Sequence, residues 1–365
     1  MKNNQKIYEN PIIYIITLIV SIGIIMLFSA SSTIAFNKFD DFSFFLNKHV
    51  IRLTIGFLAL FILYNINFKY FKNYSKELLI LSWIIVTSAY FFNNGTSTNR
   101  WLIIGGINIF TTSDFSKIAL IIFTAKHIES NKKNINDFQI MLREYLPYLL
   151  ITLMLILFQP DLSTTIIITA IIITMLLIGG LKIKYLILPS ILSIIAVGIK
   201  INTTPYQYER FMNWISGTLN YQTEHSIQAL GNGGFFGSGI GNSIIKDGYM
   251  PEVHTDFILP IIGEELGFFG ITIIFILFTL LYFHGIKICK SAPDIFSSML
   301  SLGITINIVY YFLINASYVI GILPTTGLPI PFISYGGSHT LFCLASIGLL
   351  MNISKYTNIY KYKKL

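Results

Sequence analysis

The chain has 365 residues, 54% of them hydrophobic and only 12% charged. A soluble globular domain carries roughly 25% charged residues, so this chain lacks the polar surface of a water-soluble particle, and lipid must cover the remainder. The net charge of +8 does not point to nucleic acid, because the basic residues cluster between apolar segments, where a membrane surface is the fitting partner.

The first apolar stretch, 11–34, is too long for the h-region of a cleaved signal peptide, roughly 7–15 residues. It reads as the first spanning helix. Nine further apolar runs follow, near 49–66, 78–93, 113–128, 146–160, 162–181, 183–201, 257–286, 296–320 and 336–354. Most approach the roughly 17–25 residues that cross a bilayer as a helix. The predicted fold is an all-α polytopic membrane protein of about ten transmembrane helices, with 1–365 as one integral membrane domain. Cys289 and Cys343 lie in or beside apolar segments. They lack metal-ligand spacing and a disulfide framework, and read as small buried apolar residues.

Loop charge orients the chain. With the N-terminus in the cytoplasm, 17 of the 25 Lys and Arg fall on the inner side, as the positive-inside rule requires. Both basic termini then lie inside, which favours an even helix number. The longest polar connection, about 202–256, faces outward. So do the 94–112 connection, the Gln159-Pro160-Asp161 turn and the 321–335 connection. All the unusual residue clusters therefore lie on one side of the membrane.

Those clusters are the candidates for chemistry. The outer loop contains Gly231-Asn232-Gly233-Gly234 and then Gly237, Gly239 and Gly241. No strand precedes them, so they are not a dinucleotide fingerprint. Turn-making and ligand contact both remain open for them. In Pro251-Glu252-Val253-His254-Thr255-Asp256-Phe257 the ionisable residues alternate and would share a face if extended. Helix capping by Thr255 or Asp256 and a catalytic carboxylate at Asp256 both remain open. Glu264 and Glu265 lie deeper in the same apolar run. Acids inside spans are costly and face a cavity or a basic partner. Arg100-Trp101 precedes a re-entry with Ser113, Asp114 and Lys117, the lysine about one turn into an apolar helix. The stretch from Gly321 to Ser338 carries three prolines and several glycines. Such irregular backbone is tolerated at membrane depth only inside protein or along a cavity. Together these segments imply an outward-facing polar cavity with cations and carboxylates, the combination that an anionic phosphate and a proton transfer require.

At these residues the sequence resembles the SEDS family, the FtsW/RodA cell-wall proteins. The resemblance covers most of the chain and rests on Asn99-Arg100-Trp101, Gln159-Pro160-Asp161, the Gly-rich loop leading to 251–258, Gly263-Glu264-Glu265-Leu266-Gly267, and Pro329-Ile330-Pro331-Phe332-Ile333-Ser334-Tyr335-Gly336-Gly337-Ser338. It implies a ten-helix fold in the cytoplasmic membrane and peptidoglycan glycosyltransferase activity. The implied substrate is lipid II, a disaccharide-pentapeptide on undecaprenyl pyrophosphate, and the implied partner is a class B penicillin-binding protein transpeptidase. The family's essential acid falls on Asp256. Gly263-Glu264-Glu265 and Leu323-Pro324-Thr325-Thr326-Gly327-Leu328 are more similar to the division branch, FtsW, than to the elongation branch, RodA.

Four departures bear on phosphate recognition more than on the reaction class. Thr111-Thr112-Ser113-Asp114 stands where the family has Gln-Pro-Ser-Glu before the lysine matching Lys117. Thr326 replaces a frequent lysine, His339 replaces a frequent serine, and Pro260 enters a helix that usually lacks it.

The resulting expectation is that Asp256 takes a proton from the acceptor sugar 4-hydroxyl. Arg100 and Lys117, with a divalent cation (Mg2+ or Mn2+) if one binds, stabilise the leaving pyrophosphate. Trp101, Asp161, Glu252, His254, Glu264, Ser334 and Ser338 complete the expected substrate-binding set, with Glu252, His254 and Asp161 as candidate metal contacts. No P-loop is present, and the lipid-linked donor carries its own bond energy. A lipid-linked precursor flippase would also use buried charges. The one-sided placement of the clusters and the lack of an inverted repeat argue against it. A pure scaffold would leave Lys117 and the intramembrane acids unexplained.

Overall fold

A computed structural model describes residues 11–91, 100–104, 107–246 and 253–363. In chain order the elements are α1 (Pro11–Phe39), α2 (Phe44–Asn65), α3 (Lys69–Asn73), α4 (Ser75–Phe91), β1 (Trp101–Ile104), β2 (Ile107–Thr111), α5 (Thr112–Ser130), α6 (Phe138–Ile140), α7 (Leu146–Phe158), α8 (Leu162–Ile178), α9 (Ile187–Thr203), α10 (Pro205–Ile215), α11 (Tyr221–Gly233), α12 (Ile258–Ser291), α13 (Ile295–Val319) and α14 (Gly337–Lys363). One π-helical turn, Met141–Tyr145, joins α6 to α7. Over its described residues each of the ten apolar runs is largely helical, as a segment in hydrocarbon must be to satisfy its own backbone.

Among the described residues six helices are long and apolar enough to cross a membrane. Leu162–Ile178 and Pro189–Thr203 are apolar but shorter. The protein is a multi-pass membrane protein. Helix α13 lies at the centre and packs against α5, α8, α12 and α14, while α14 runs along α2 and α1 lies against α2 and α12. Helix α9 stands at the periphery, with Ile187, Ile191, Ile194, Ile195 and Ile199 exposed.

The structure differs from the sequence expectation at three places. First, the 202–256 connection is not loop throughout but carries α10 and α11. Pro205 opens α10 at the first helical position, where its missing N–H is harmless. Asn220 caps α11 by accepting from the Thr223 amide at 2.8 Å. No residue of α10 is buried, and Tyr206, Met212, Trp214 and Ile215 are exposed, as in a helix lying in a membrane interface.

Second, β1 and β2 pair antiparallel, with Trp101 opposite Thr111. Strand β2 runs straight into α5.

Third, α12 begins later and is interrupted. Its N-cap falls on Phe257, with no side-chain cap, so neither Thr255 nor Asp256 holds that position. Pro260 sits in the first turn, whose amides lack helical partners anyway, so it does not break the helix. The break is at Gly267 (φ 68, ψ −167). The Gly-rich segment repairs it. Ser238 and Gly239 donate amides to the carbonyls of Glu264 and Glu265 at 2.9 and 3.0 Å. Phe268 and Phe269 donate to the carbonyls of Gly234 and Phe235 at 2.9 and 3.1 Å. Gly237 (φ +80) makes this possible, since a Cβ there would strike the Glu265 carbonyl.

Candidate active site

Asp256 lies in the short segment between the Gly-rich loop and α12, and is half-buried. Its carbonyl accepts from Asn315 Nδ2 at 2.8 Å and Tyr318 Oη at 2.7 Å, both on α13. The same two side chains hold the Leu328 carbonyl at 2.7 and 3.0 Å. The central helix therefore ties the backbone of Asp256 to that of the 321–335 connection. Thr255 Oγ1 donates to Asp256 Oδ1 at 2.8 Å. A Cβ added at Gly327 would stand 3.5 Å from Asp256 Oδ2.

Residues 325–328 link this carboxylate to a basic neighbourhood. Ser163, just inside α8, donates to the Thr326 carbonyl at 2.8 Å. Arg210 on α10 donates to the Thr325 carbonyl at 3.2 Å, and Asn220 donates to Thr325 Oγ1 at 3.0 Å. Asp161, the N-cap of α8, pairs with Arg100 at 3.7 Å and accepts from Ser113 Oγ at 3.1 Å. Arg100 also donates to the Gln159 carbonyl at 3.4 Å and to the Pro160 carbonyl. Its side chain remains 35% exposed, so it can still meet an anion. Gln159 locks the turn from the other side, through the Val86 carbonyl at 3.1 Å and Thr112 at 3.0 Å.

Lys117 is placed differently. It is 1% exposed, pairs with Asp114 at 3.0 Å and lies 4.1 Å from the Tyr311 ring centre. Asp114 also meets His339 Nδ1 at 3.2 Å and Ser338 Oγ at 3.3 Å, and Ser338 reaches Thr111 Oγ1 at 2.7 Å. The two departures from the family pattern, Asp114 and His339, thus touch each other. Lys117 and Ser338 belong to this sealed cluster rather than to open space.

The other expected residues divide. Trp101 flanks Arg100 at the start of β1 and is half-buried. The His254 ring sits against Phe45 and Tyr335, at 4.3 and 5.4 Å between centres. Burial, with the Lys38 charge, pushes its pKa down to about 4. Ser334 is fully buried and accepts from the Ile330 amide at 2.9 Å, closing a turn. Glu264 is not brought to Asp256. It accepts from Asn232 Nδ2 at 3.2 Å, from Ser243 Oγ, and from the amides of Ile244 and Ile245 at 3.3 and 3.4 Å. Glu252 lies outside the described residues. Sequence reasoning gave no role to Ser163, Arg210, Asn315, Tyr311 or Tyr318. Asn315 alone offered a signal, as an amide inside an apolar span, about one turn before its end.

Among the described residues no three His, Cys, Asp or Glu side chains converge to hold a metal ion. Asp161 is committed to Arg100, Ser113 and its helix, and His254 is packed between rings. The described residues do not fit a resident Mg2+ or Mn2+, and no step is routed through one.

Comparison with known proteins agrees with this architecture. Residues 9–359 match the model of the cell cycle protein family FtsW/RodA/SpoVE. Stage V sporulation protein E of Bacillus subtilis (strain 168) is 33% identical, covering 97% of this chain and 99% of its own. The probable peptidoglycan glycosyltransferase FtsW of Trichlorobacter lovleyi is 32% identical, covering 95% and 93%. Among solved structures, a chain of a peptidoglycan synthase complex that coordinates polymerization and crosslinking superposes with a TM-score of 0.77 at 20% identity, over 96% of this chain and 99% of its own. The rod shape determining protein RodA of Thermus thermophilus gives 0.72 at 20%, over 96% and 98%. A match across nearly the whole chain, on a fold that agrees, places this protein in the FtsW/RodA/SpoVE family of cell cycle proteins.

Proposed function

We propose that this peptidoglycan glycosyltransferase polymerises lipid II on the outer face of the cytoplasmic membrane, with Asp256 as general base. The acceptor sugar 4-hydroxyl attacks the anomeric carbon of the donor, and its proton passes to the Asp256 carboxylate. The bond from that carbon to the pyrophosphate oxygen breaks, and undecaprenyl pyrophosphate leaves. Arg100 meets the charge that develops on the leaving group, and Asp161 holds the guanidinium in place. Lys117 acts at one remove, through Asp114, His339 and Ser338.

The observation that carries this reading is the setting of Asp256. It is a half-buried carboxylate whose backbone is held rigidly by Asn315 and Tyr318, and it does not occupy the cap of α12. The chain is one domain of ten spans with both termini inside, which puts Asp256, Arg100 and α10 on the outer side. Its role is in division rather than elongation, supported by the Gly263–Gly267 and 323–328 motifs and by relatives named FtsW. Its partner is a class B penicillin-binding protein transpeptidase, a pairing supported by the fold shared with a chain of a synthase complex.

The test is the purified protein with lipid II, assayed for glycan polymer with and without the transpeptidase. Polymer that depends on this chain is expected. Movement of lipid II across a vesicle bilayer without polymer would contradict the reading and favour a flippase.

A further inference from the structure

The Gly267 break sets off a short first part of α12, residues 258–266, from the long remainder. The backbone bonds from residues 234–239 bridge the two parts at the break, and Asp256 sits two residues before the start of the first. Glu265 adds a side-chain hold on that first part. It is 0% exposed, and both its carboxylate oxygens lie 2.7 Å from Ser29 Oγ on α1. Lys246 Nζ pairs with it at 2.8 Å. The same ammonium donates to Ser29 Oγ at 3.1 Å and to the Gly241 carbonyl at 2.7 Å. Beside it, Glu264 gathers Asn232 from α11 and Ser243 from the Gly-rich segment.

We propose that the Lys246–Glu265–Ser29 cluster is a positioning device for Asp256, fixing the half-helix that follows the catalytic carboxylate against α1 and the Gly-rich segment. The backbone bonds from Ser238 and Gly239 fix the end of this short segment to the Gly-rich stretch, and the Glu265 carboxylate ties it in addition to α1. A buried charge pair is stable only with its partners in good geometry, so it selects one orientation. All three ammonium protons of Lys246 have an acceptor here, one each on Ser29, Gly241 and Glu265. Because a displacement of about 1 Å at a reacting group can cost roughly 10²-fold in rate, loosening this cluster acts on turnover more than on substrate binding. The inference rests on the reading of Asp256 as base.

The test compares lipid II polymerisation by the purified full chain carrying K246R, K246M/E265Q, Ser29→Ala or Asp256→Asn. The double variant removes both charges together and leaves neither unpaired. It is expected to lower kcat by roughly tenfold or more, with KM for lipid II within about twofold and the thermal midpoint nearly unchanged. K246R should restore most of the turnover. Ser29→Ala, which removes a hydroxyl and no charge, should give a smaller fall in kcat, and it decides the matter if the double variant does not fold. Normal kcat in a folded Ser29→Ala or double variant would overturn the proposal. So would a fall in kcat that only tracks lost thermal stability. An active Asp256→Asn protein would instead remove the base itself, whereas an inactive Asp256→Asn protein beside fully active cluster variants would overturn the positioning role alone.

Discussion

Arg100 and Lys117 carry the same charge in opposite surroundings, and this separates the consequences of removing them. Arg100 keeps a third of its side chain exposed beside the Gln159-Pro160-Asp161 turn. Arg100→Ala should raise KM or lower kcat for lipid II by the loss of one charge-assisted contact, about 1.5–3 kcal/mol, with membrane abundance unchanged. Lys117 is sealed against Asp114 and Tyr311. Removing one member of a buried ion pair costs about 3–5 kcal/mol, so Lys117→Ala should lower folded protein before it alters KM. Quantifying both proteins in membranes and in the polymer assay checks the pair. Equal abundance with equally raised KM in both variants would return Lys117 to the open site.

His254 gives a prediction in pH. Its folded-state pKa, about 4, lies below the ordinary 6.5, because burial and Lys38 disfavour the charged ring. The unfolded chain therefore takes up this proton first, and stability falls as pH drops from 6.5 toward 4. His254→Phe keeps a ring against Phe45 and Tyr335 and has no proton to take up. Its thermal midpoint should fall less than that of the unmodified protein across the same window, by differential scanning fluorimetry. Identical pH slopes would show that His254 is already charged or exposed.

At the level of elements, α12 shows what an amino-acid pattern can and cannot carry. The ten apolar runs were legible because a segment in lipid has no alternative to satisfying its own backbone, and each proved largely helical over its described residues. The break at Gly267 was not. The run 257–286 reads as continuous, and the interruption is sustained by backbone bonds from residues 234–239, a tertiary contact no local pattern announces. The pairing of β1 with β2 did leave a signal, since Gly105-Gly106 lies between short runs rich in Ile. Hydropathy alone reads such a stretch as a connection. Helices α10 and α11 were hidden in the same way, by the polarity of an interfacial segment. Gly267→Ala is the sharp test of the break. A side chain at this φ and ψ, a region essentially confined to glycine, costs about 1–3 kcal/mol, and its Cβ would also press on the amide of Gly237 and the carbonyl of Phe235. The variant should lose several degrees of thermal stability and most polymerisation. An alanine variant with normal stability and activity would mean that α12 runs unbroken in the membrane.

For the whole molecule, orientation decides whether the proposed chemistry has access to its substrate. The loop-charge bias predicts α10 outside and the turn at 131–136 inside. Both native cysteines are buried, so single exposed cysteines report cleanly. Glu209→Cys on α10 should react with a membrane-impermeant maleimide in intact cells, or in spheroplasts where an outer membrane intervenes. Lys132→Cys should react only after the cytoplasmic membrane is opened. The reverse pattern would put Asp256 in the cytoplasm and end the outer-face account.

The family was legible before the structure, because the motifs at 100–101, 159–161, 251–258 and 329–338 occur in a fixed order. What the sequence left open was whether Asp256 caps a helix or acts on substrate, and the structure puts the N-cap of α12 on Phe257 instead. Asp256→Asn separates the two directly. Asparagine keeps the size, the hydrogen bonding and any capping ability, but it cannot take a proton from a hydroxyl. The deciding measurement is lipid II polymerisation by the purified Asn variant, with transpeptidase binding scored on the same sample. The account predicts a fall of roughly 10²-fold or more with partner binding intact, and near-normal glycan synthesis by that variant would contradict it.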